Sequence, residues 1–180
     1  MRFPRGLLAV AFFVTLAGCT PTTGAYEVLE PADLGVDHLS PEATEAIVAG
    51  TEESPEYSSV PATSGPHAGA PTPCGVYRTE VPEIFNVHTL EHGAVIFYYQ
   101  PERVSGEERA QLEEAGRELS THVIVMPYAA LEVPIAMVAW GHLAQLERVD
   151  LEAARSFWGE FAQRGPESGI PCDLTVDEAS

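Results

Sequence analysis

The sequence predicts a small α+β domain in which helices cover one face of a small mixed or antiparallel sheet, preceded by a long irregular N-terminal arm. Three observations lead to this prediction. Residues 93–99 form a run of β-branched and aromatic residues, two later segments combine helix-capping residues with an amphipathic pattern, and residues 20–65 are rich in Pro, Thr, Ser, Glu and Gly. The predicted order of elements from residue 93 onward is β-α-β-β-α, which implies one compact domain.

The strand predicted at residues 93–99 is apolar on both faces, so we expect it in the centre of the sheet. Two further strands are predicted at residues 122–126 and 135–140, separated by a connection that begins and ends with proline. Met126 and Met137 lie on these strands and are expected in the core.

Two helices are predicted from their capping residues. Ser105 followed by Glu108 forms a capping box, which opens a helix that reaches about residue 119, with Leu112 and Ala115 facing inward. Asp150 is expected to cap a second helix over residues 151–163, and its apolar residues form one stripe. The stripe consists of Leu151, Ala154, Phe157, Trp158 and Phe161.

The N-terminus predicts an exported chain with a lipid anchor. Arg2 and Arg5 precede an apolar run at residues 6–16, which is too short to span a bilayer. The following Leu-Ala-Gly-Cys resembles the lipobox of bacterial lipoproteins, which implies cleavage before Cys19 and lipidation of its thiol. An ordinary signal peptide or an uncleaved anchor is the alternative. We therefore expect an extracytoplasmic protein of the cell envelope, held to the membrane by paired acyl chains such as palmitate.

The rest of the chain divides by composition. Within the arm, residues 41–49 can form one or two helical turns with Ser40 as the cap. Repeated Pro and Gly between residues 60 and 82 predict a loop that contains Ser64-Gly65-Pro66-His67. The expected organisation is a signal peptide at 1–18, a lipidated tether and irregular arm at 19–59, a compact α+β domain at 60–168 and a C-terminal tail at 169–180.

The composition is strongly acidic. The chain carries 9 Lys+Arg, all of them arginine, and 27 Asp+Glu, for a formal net charge of −18. Removal of residues 1–18 takes away two arginines and no acid, which changes the charge to 7 − 27 = −20. Such a surface repels nucleic acid and anionic lipid headgroups, so neither is expected as a partner bound through charge.

Once Cys19 is lipidated, Cys74 and Cys172 are left as an even pair of cysteines in an oxidising compartment. Such a pair is expected to form a disulfide, here between the start of the domain and its tail. The alternative is that one of the two cysteines is a soft metal ligand.

Four short motifs occur in the order Ser64-Gly65-Pro66-His67, Gly75-Val76-Tyr77, His88-Thr89-Leu90-Glu91-His92-Gly93 and Ala139-Trp140-Gly141. Together they resemble the pattern of a bacterial family known as domain of unknown function 3105, over roughly residues 35–168. The family also has a Gly-x-x-His near its start, matched here by residues 35–38, and a tyrosine matched by Tyr57. The chain departs from the family pattern at Pro61-Ala62, where two prolines are usual, and at Cys74, where an aromatic residue is common. The resemblance implies a domain and a residue set but no activity.

Four histidines are candidate ligands of a copper or zinc ion: His67, His88 and His92, with His38 completing the set. Imidazole nitrogen is the commonest transition-metal ligand, and imidazoles from separate loops can form one site. Copper is favoured over zinc by a ligand set made only of imidazoles and by the exposed compartment.

Glu91 is expected to accept a hydrogen bond that orients one of these imidazoles, without binding the ion itself. Because Gly93 interrupts the segment just before a strand, residues 88–93 are interpreted as a turn that feeds the edge of the strand. His122 starts a predicted strand and His142 follows Trp140-Gly141, and both are expected to be structural.

Three alternatives stay open at this point. His88-x-x-Glu91-His92 matches the inverted zinc-protease pattern, and a bound metal with Glu91 as base would make the domain a metal-dependent hydrolase. That mechanism needs one helix that carries all three residues. The histidines could instead hold loops together by hydrogen bonds. A metal-free domain could also bind an envelope protein through an aromatic surface formed by Tyr77, Tyr98, Tyr99 and Trp140.

Overall fold

The computed structural model of the protein describes residues 26–178. The predicted signal peptide and the lipidation site at Cys19 lie outside the described residues. Within residues 26–178, no helix is long and apolar enough to cross a bilayer.

The domain is built on a seven-stranded mixed sheet, which confirms the predicted α+β class. The spatial order of the strands is β1-β6-β5-β3-β4-β2-β7. The pairs β3–β4, β4–β2 and β2–β7 are parallel, whereas β3–β5, β5–β6 and β6–β1 are antiparallel. The strands are β1 Val28–Leu29, β2 Gly75–Val76, β3 Val95–Tyr99, β4 Val123–Pro127, β5 Ile135–Ala139, β6 His142–Leu146 and β7 Val176–Asp177.

The predicted strand at residues 93–99 is β3, and it lies in the centre of the sheet as expected. All five residues of β3 are buried, as are those of β4 and β5, which correspond to the other two predicted strands. Met126 and Met137 are in the core, as predicted. The strand β6 was missed by sequence analysis, because its pattern of apolar and polar residues is short and begins with a histidine directly after a turn.

Both helices predicted from capping residues are present on one face of the sheet. The capping box of Ser105 and Glu108 is formed at the start of α3, and the Asp150 carboxylate caps α4 by accepting hydrogen bonds from the backbone of residues 152 and 153. Leu112 of α3 and Phe157 of α4 pack with Phe97 in one core cluster. The helices of the chain are α1 Pro41–Val48, α2 Glu83–Glu91, α3 Gly106–Leu119 and α4 Leu151–Phe161.

The opposite face of the sheet is covered by α2 and by the loop at residues 57–74. Leu90 of α2 packs there against Ile96, Tyr98 and Ile124. The interpretation of residues 88–93 as a turn was wrong, because α2 runs through Glu91 and His92 is its C-terminal cap. Local pattern did not indicate this helix, since seven of its nine residues are buried and it shows no amphipathic alternation.

The arm and the tail each supply an edge strand. The arm contributes β1, next to β6, and its residues 41–48 form α1 with the Ser40 cap, as predicted. The tail contributes β7, next to β2. The predicted disulfide between Cys74 and Cys172 is present and joins the segments that lead into β2 and β7.

The aromatic surface considered as a partner-binding site is absent from the described residues. Tyr77, Tyr98 and Tyr99 are buried in the core, and only Trp140 is partly exposed. The prediction was wrong because these tyrosines lie in or beside strands that are covered on both faces, so that their rings fill the core.

Candidate metal centre

The last turn of α2 carries two polar side chains that face the protein interior. His88 and Glu91 are three residues apart and therefore lie on the same side of the helix. Their side chains are 7% and 2% exposed. The helix ends where Gly93 adopts a φ of 87°, with hydrogen bonds from its N–H to Leu90 and from Ala94 to Thr89. This left-handed ending lets the chain turn at once into β3 and holds the helix terminus against the sheet.

A buried loop brings His67 to the same place. The Ala68 N–H donates to the carbonyl of Ile84 in α2, and the Gly141 N–H donates to the carbonyl of Thr63 in the loop. These bonds satisfy backbone groups that burial would otherwise leave unpaired. The His67 side chain is fully buried, and its ring meets the Trp140 ring edge-on at a centroid distance of 6.4 Å.

His38 reaches the cluster from the N-terminal arm. The arm runs alongside the buried loop, where the His67 N–H donates to Asp37 and the Leu39 N–H donates to His67. The His38 side chain is 49% exposed, so it forms the solvent-facing side of the cluster.

Four side chains thus meet from three separate segments. The ring nitrogens of His38, His67 and His88 and a carboxylate oxygen of Glu91 all lie within 4.8 Å of one another. The Oε2 atom of Glu91 is 3.6 Å from Nε2 of His38, 3.1 Å from Nε2 of His67 and 3.9 Å from Nε2 of His88. Three imidazoles and one carboxylate therefore surround one point.

Backbone carbonyls determine which nitrogen carries the proton in two of these rings. Nδ1 of His67 lies 2.9 Å from the carbonyl oxygen of Gly65, and Nδ1 of His88 lies 2.7 Å from that of Ala68. A carbonyl only accepts, so both Nδ1 atoms donate their hydrogen. In the neutral rings the Nε2 lone pairs then point into the cluster, which is the tautomer that a metal ligand requires.

Two atoms at the centre of the cluster have no hydrogen-bonding partner. Nε2 of His67 and Oε2 of Glu91 are buried and face each other at 3.1 Å, yet neither makes a hydrogen bond. In the neutral tautomer of His67 both atoms are acceptors. Two buried acceptors at this distance cost free energy. A cation that takes a lone pair from each atom would remove that cost, so these residues fit a metal ion.

Burial also favours the neutral form of the helical histidines. Desolvation lowers the pKa of His88, and the nearby imidazoles of His92 and His67 lower it further. The pKa of His92 is likewise lowered, mainly by burial. Both rings are therefore neutral at pH 7, and their lone pairs are available without loss of a proton.

A second group lies directly beside the first. Nε2 of His92 is 3.1 Å from Nε2 of His88 and 3.6 Å from Oε2 of Glu167. Glu91, His92 and Glu167 form a further set of possible ligand atoms within 4.8 Å of one another. His92 was predicted as a ligand together with His67 and His88, but it faces the second group and does not belong to the first.

Three residues of the first group, His38, His67 and His88, were thus among the predicted ligands, and Glu91 was predicted to orient one of them. Glu167 was not predicted, because it follows α4 and is 75 positions away from His92 in the chain. The other two histidines lie outside both groups. His122 contacts the carbonyl of Ile170, and His142 contacts the carbonyl of Trp140.

The fold and the cluster together define a small α+β domain with a buried histidine and carboxylate group that could hold a metal ion. The chain belongs to the family described as protein of unknown function, DUF3105, whose model matches residues 49–174. This confirms the resemblance carried by the four motifs, although His38 lies before the matched range. No curated protein and no solved structure matches the chain.

Proposed function

We propose that the protein is an extracytoplasmic lipoprotein whose folded domain binds one zinc or copper(II) ion through His38, His67, His88 and Glu91. The observation that carries the proposal is the facing pair of His67 Nε2 and Glu91 Oε2, two buried acceptors without hydrogen-bonding partners. Histidines that only held loops together would be expected to have hydrogen-bonding partners for both ring nitrogens, because buried polar groups are normally satisfied.

Zinc fits the distances between the proposed ligand atoms best. Tetrahedral coordination at about 2.0–2.1 Å requires neighbouring ligand atoms roughly 3.4 Å apart. The three distances from Glu91 Oε2 to the imidazole nitrogens, 3.1, 3.6 and 3.9 Å, lie on both sides of this value. Copper was favoured because the predicted ligands were all imidazoles. The group contains a carboxylate in place of the fourth imidazole, so this reason no longer applies. Copper(II) nevertheless binds more tightly than zinc to most nitrogen and oxygen sites, so availability in the envelope would decide between the two ions.

The position of Glu91 argues against a hydrolase in which it serves as base. Its carboxylate is 2% exposed and lies among the three imidazoles, where it would contact the ion directly. A general base must instead reach a water molecule bound to the ion. The helix α2 carries His88 and Glu91, but it ends before His92, which is its C-terminal cap and faces the second group. The location of the Glu91 carboxylate therefore supports a ligand role.

Titration of the full chain in mild detergent with Zn(II) by calorimetry at pH 7.5 tests the proposal. We expect tight binding that weakens by roughly tenfold to a hundredfold in His38→Ala, because water can take the position of an exposed ligand. The matched control is His142→Ala, which removes a histidine outside both groups and should leave the affinity unchanged. No binding tighter than tens of micromolar in the wild-type protein would refute the metal centre.

The location in the envelope is supported by the N-terminal motif and by the disulfide. Cys74 and Cys172 are joined, and such bonds persist in oxidising compartments outside the cytoplasm. The lipobox-like Leu16-Ala17-Gly18-Cys19 supplies the only thiol that remains for lipidation. We therefore include a lipid anchor at Cys19 in the proposal.

Replacing Cys19 by serine tests the anchor. The serine hydroxyl is not expected to accept the diacylglycerol, so Cys19→Ser should leave uncut or secreted protein that moves from the detergent phase to the aqueous phase in a two-phase partition. Cys74→Ser, which changes a cysteine of the disulfide in the folded domain, is the control and should keep the wild-type partition. If Cys19→Ser still enters the detergent phase after processing, the anchor lies elsewhere.

A further inference from the structure

The second group of possible ligands shares Glu91 with the first. Its other members are His92, whose side chain is 12% exposed, and Glu167, whose side chain is 54% exposed. One nitrogen and two carboxylate oxygens of the three residues lie within 4.8 Å of one another. The carboxylate of Glu91 is nearly buried, and its Oε2 atom, which lies among the imidazoles of the first group, has no hydrogen-bonding partner.

The segment that carries Glu167 is held firmly against the end of α2. The Gln163 N–H donates to Gly93 at 2.7 Å, and the Glu167 N–H donates to the carbonyl of Glu91 at 3.0 Å. Gly165 packs so closely that a Cβ atom there would overlap the carbonyl oxygen of Glu91. The backbone therefore holds Glu167 beside His92, and the placement does not depend on an attraction between their side chains.

We propose that Glu91, His92 and Glu167 bind a second divalent transition-metal ion next to the first, with the Glu91 carboxylate bridging the two. This inference rests on the proposed function, since it uses the same carboxylate. A carboxylate has two oxygens and can contact two ions, and carboxylate ligands are common in two-metal sites, whose ions lie about 3.5–4 Å apart.

Hydrogen bonding links the two positions. Because Nδ1 of His88 donates to Ala68, its Nε2 can only accept, so the 3.1 Å contact between the two Nε2 atoms places a hydrogen on Nε2 of His92. If Nε2 of His88 held the first ion, its lone pair would no longer accept that hydrogen. The neutral ring of His92 could then carry its proton on Nδ1, which would leave Nε2 free to bind the second ion. The first position should therefore fill first.

Solvent reaches the second position, because the side chains of His92 and Glu167 are 12% and 54% exposed. His92 also lines a cleft of about 310 Å³ beside the disulfide, together with Thr72 and Pro171. Three protein ligands would leave coordination positions for water on this exposed side. Two carboxylates in the group, in a chain with a formal net charge of −18, favour a second cation despite its repulsion from the first.

Zinc stoichiometry of the full chain in detergent tests the second position. We expect two zinc ions per wild-type chain and one in Glu167→Gln, with the tighter affinity changed by less than about threefold, because Glu167 does not belong to the first group. Glu160→Gln, which changes an exposed glutamate of α4, is the control and should keep two ions. Titration with Cu(II) gives an independent readout: the spin-resonance signal should grow with the first equivalent and fall with the second in the wild type, since neighbouring copper ions couple, and grow without a fall in Glu167→Gln.

The possible outcomes separate this inference from the metal centre itself. One zinc ion in the wild type, weakened by His38→Ala and unaffected by Glu167→Gln, would overturn the second position and leave the first intact. Two ions in Glu167→Gln would also overturn it. No zinc in the wild type would overturn both proposals.

Discussion

Glu91→Gln is expected to lower the zinc affinity by more than about a hundredfold and, in the metal-free protein, to raise the thermal stability. The affinity falls because the amide is a poor substitute for a charged ligand, and the loss should exceed the roughly ten- to hundredfold cost of changing an outer hydrogen-bonding partner. The stability rises because the amide brings two N–H donors to a place where Nε2 of His67 is a buried acceptor without a partner.

In the metal-free state, the free energy of unfolding of Glu91→Gln is expected to exceed that of the wild type by about 1–3 kcal/mol, the usual cost of a buried unsatisfied polar group. For a domain of this size it corresponds to an increase of roughly 2–10 °C in Tm. Thermal unfolding in the presence of a strong chelator measures the gain, and calorimetric titration measures the affinity.

Glu113→Gln is the matched control for this pair of measurements. Glu113 is also a buried glutamate, but its carboxylate lies 3.3 Å from Arg109 and 3.6 Å from Arg78. Removing its charge takes a counterion away from these two arginines, so the metal-free protein should lose stability and the zinc affinity should not change. If Glu91→Gln also destabilises the metal-free protein and leaves zinc binding as it is, Glu91 holds protonated imidazoles in place and binds no metal.

Loss of the disulfide is expected to have the largest effect on the fold. The bond closes a loop between positions 98 residues apart, and the entropy of such a loop in the unfolded chain corresponds to roughly 3–5 kcal/mol. The double variant Cys74→Ser/Cys172→Ser should therefore unfold at a lower urea concentration, with an equal or steeper slope because its unfolded chain is less compact. Urea unfolding of the variant and of the wild type, each with and without reductant, measures the difference.

The structure also indicates which backbone hydrogen bonds should weaken first when the disulfide is lost. The carbonyl of Cys172 accepts from the His122 N–H, and the Thr175 N–H donates to the carbonyl of Cys74. Hydrogen exchange should therefore increase at His122 and Thr175 before it increases in β3. Reductant should have no effect on the double variant. Equal urea midpoints for the oxidised wild type and the variant would contradict the expected stabilisation.

Much of the fold could be predicted because local chemistry decided it. The caps at Ser105 and Asp150 satisfy backbone N–H groups of their own helices, so their effect does not depend on distant residues. The strand β3 was evident because β-branched and aromatic side chains pack well on the pleated surface of a sheet and are enriched in strands. The pairing of Cys74 with Cys172 was predicted because these two cysteines remain once Cys19 is assigned to the lipid anchor, and the disulfide is present.

The helix α2 could not be predicted in the same way. It is buried along most of its length, so it lacks the alternation of polar and apolar residues by which a surface helix is recognised. Gly93 was taken as evidence against a helix, although its left-handed conformation is how this helix ends. A glycine next to a strand is compatible with both structures, and only the contacts of Leu90 with the sheet decided between them.

The sequence by itself determined the residue types of the candidate centre and the family to which the chain belongs, because histidines and glutamate within a short motif are visible without coordinates. Only the tertiary structure decided how they are grouped. It brought His38 from the arm to His67 and His88, moved Glu91 from a supporting position to the middle of the cluster, and paired His92 with Glu167. The physical reason is that ligand geometry depends on which backbone carbonyls accept from each imidazole and on how loops pack against the end of α2, and both are contacts between residues far apart in the chain.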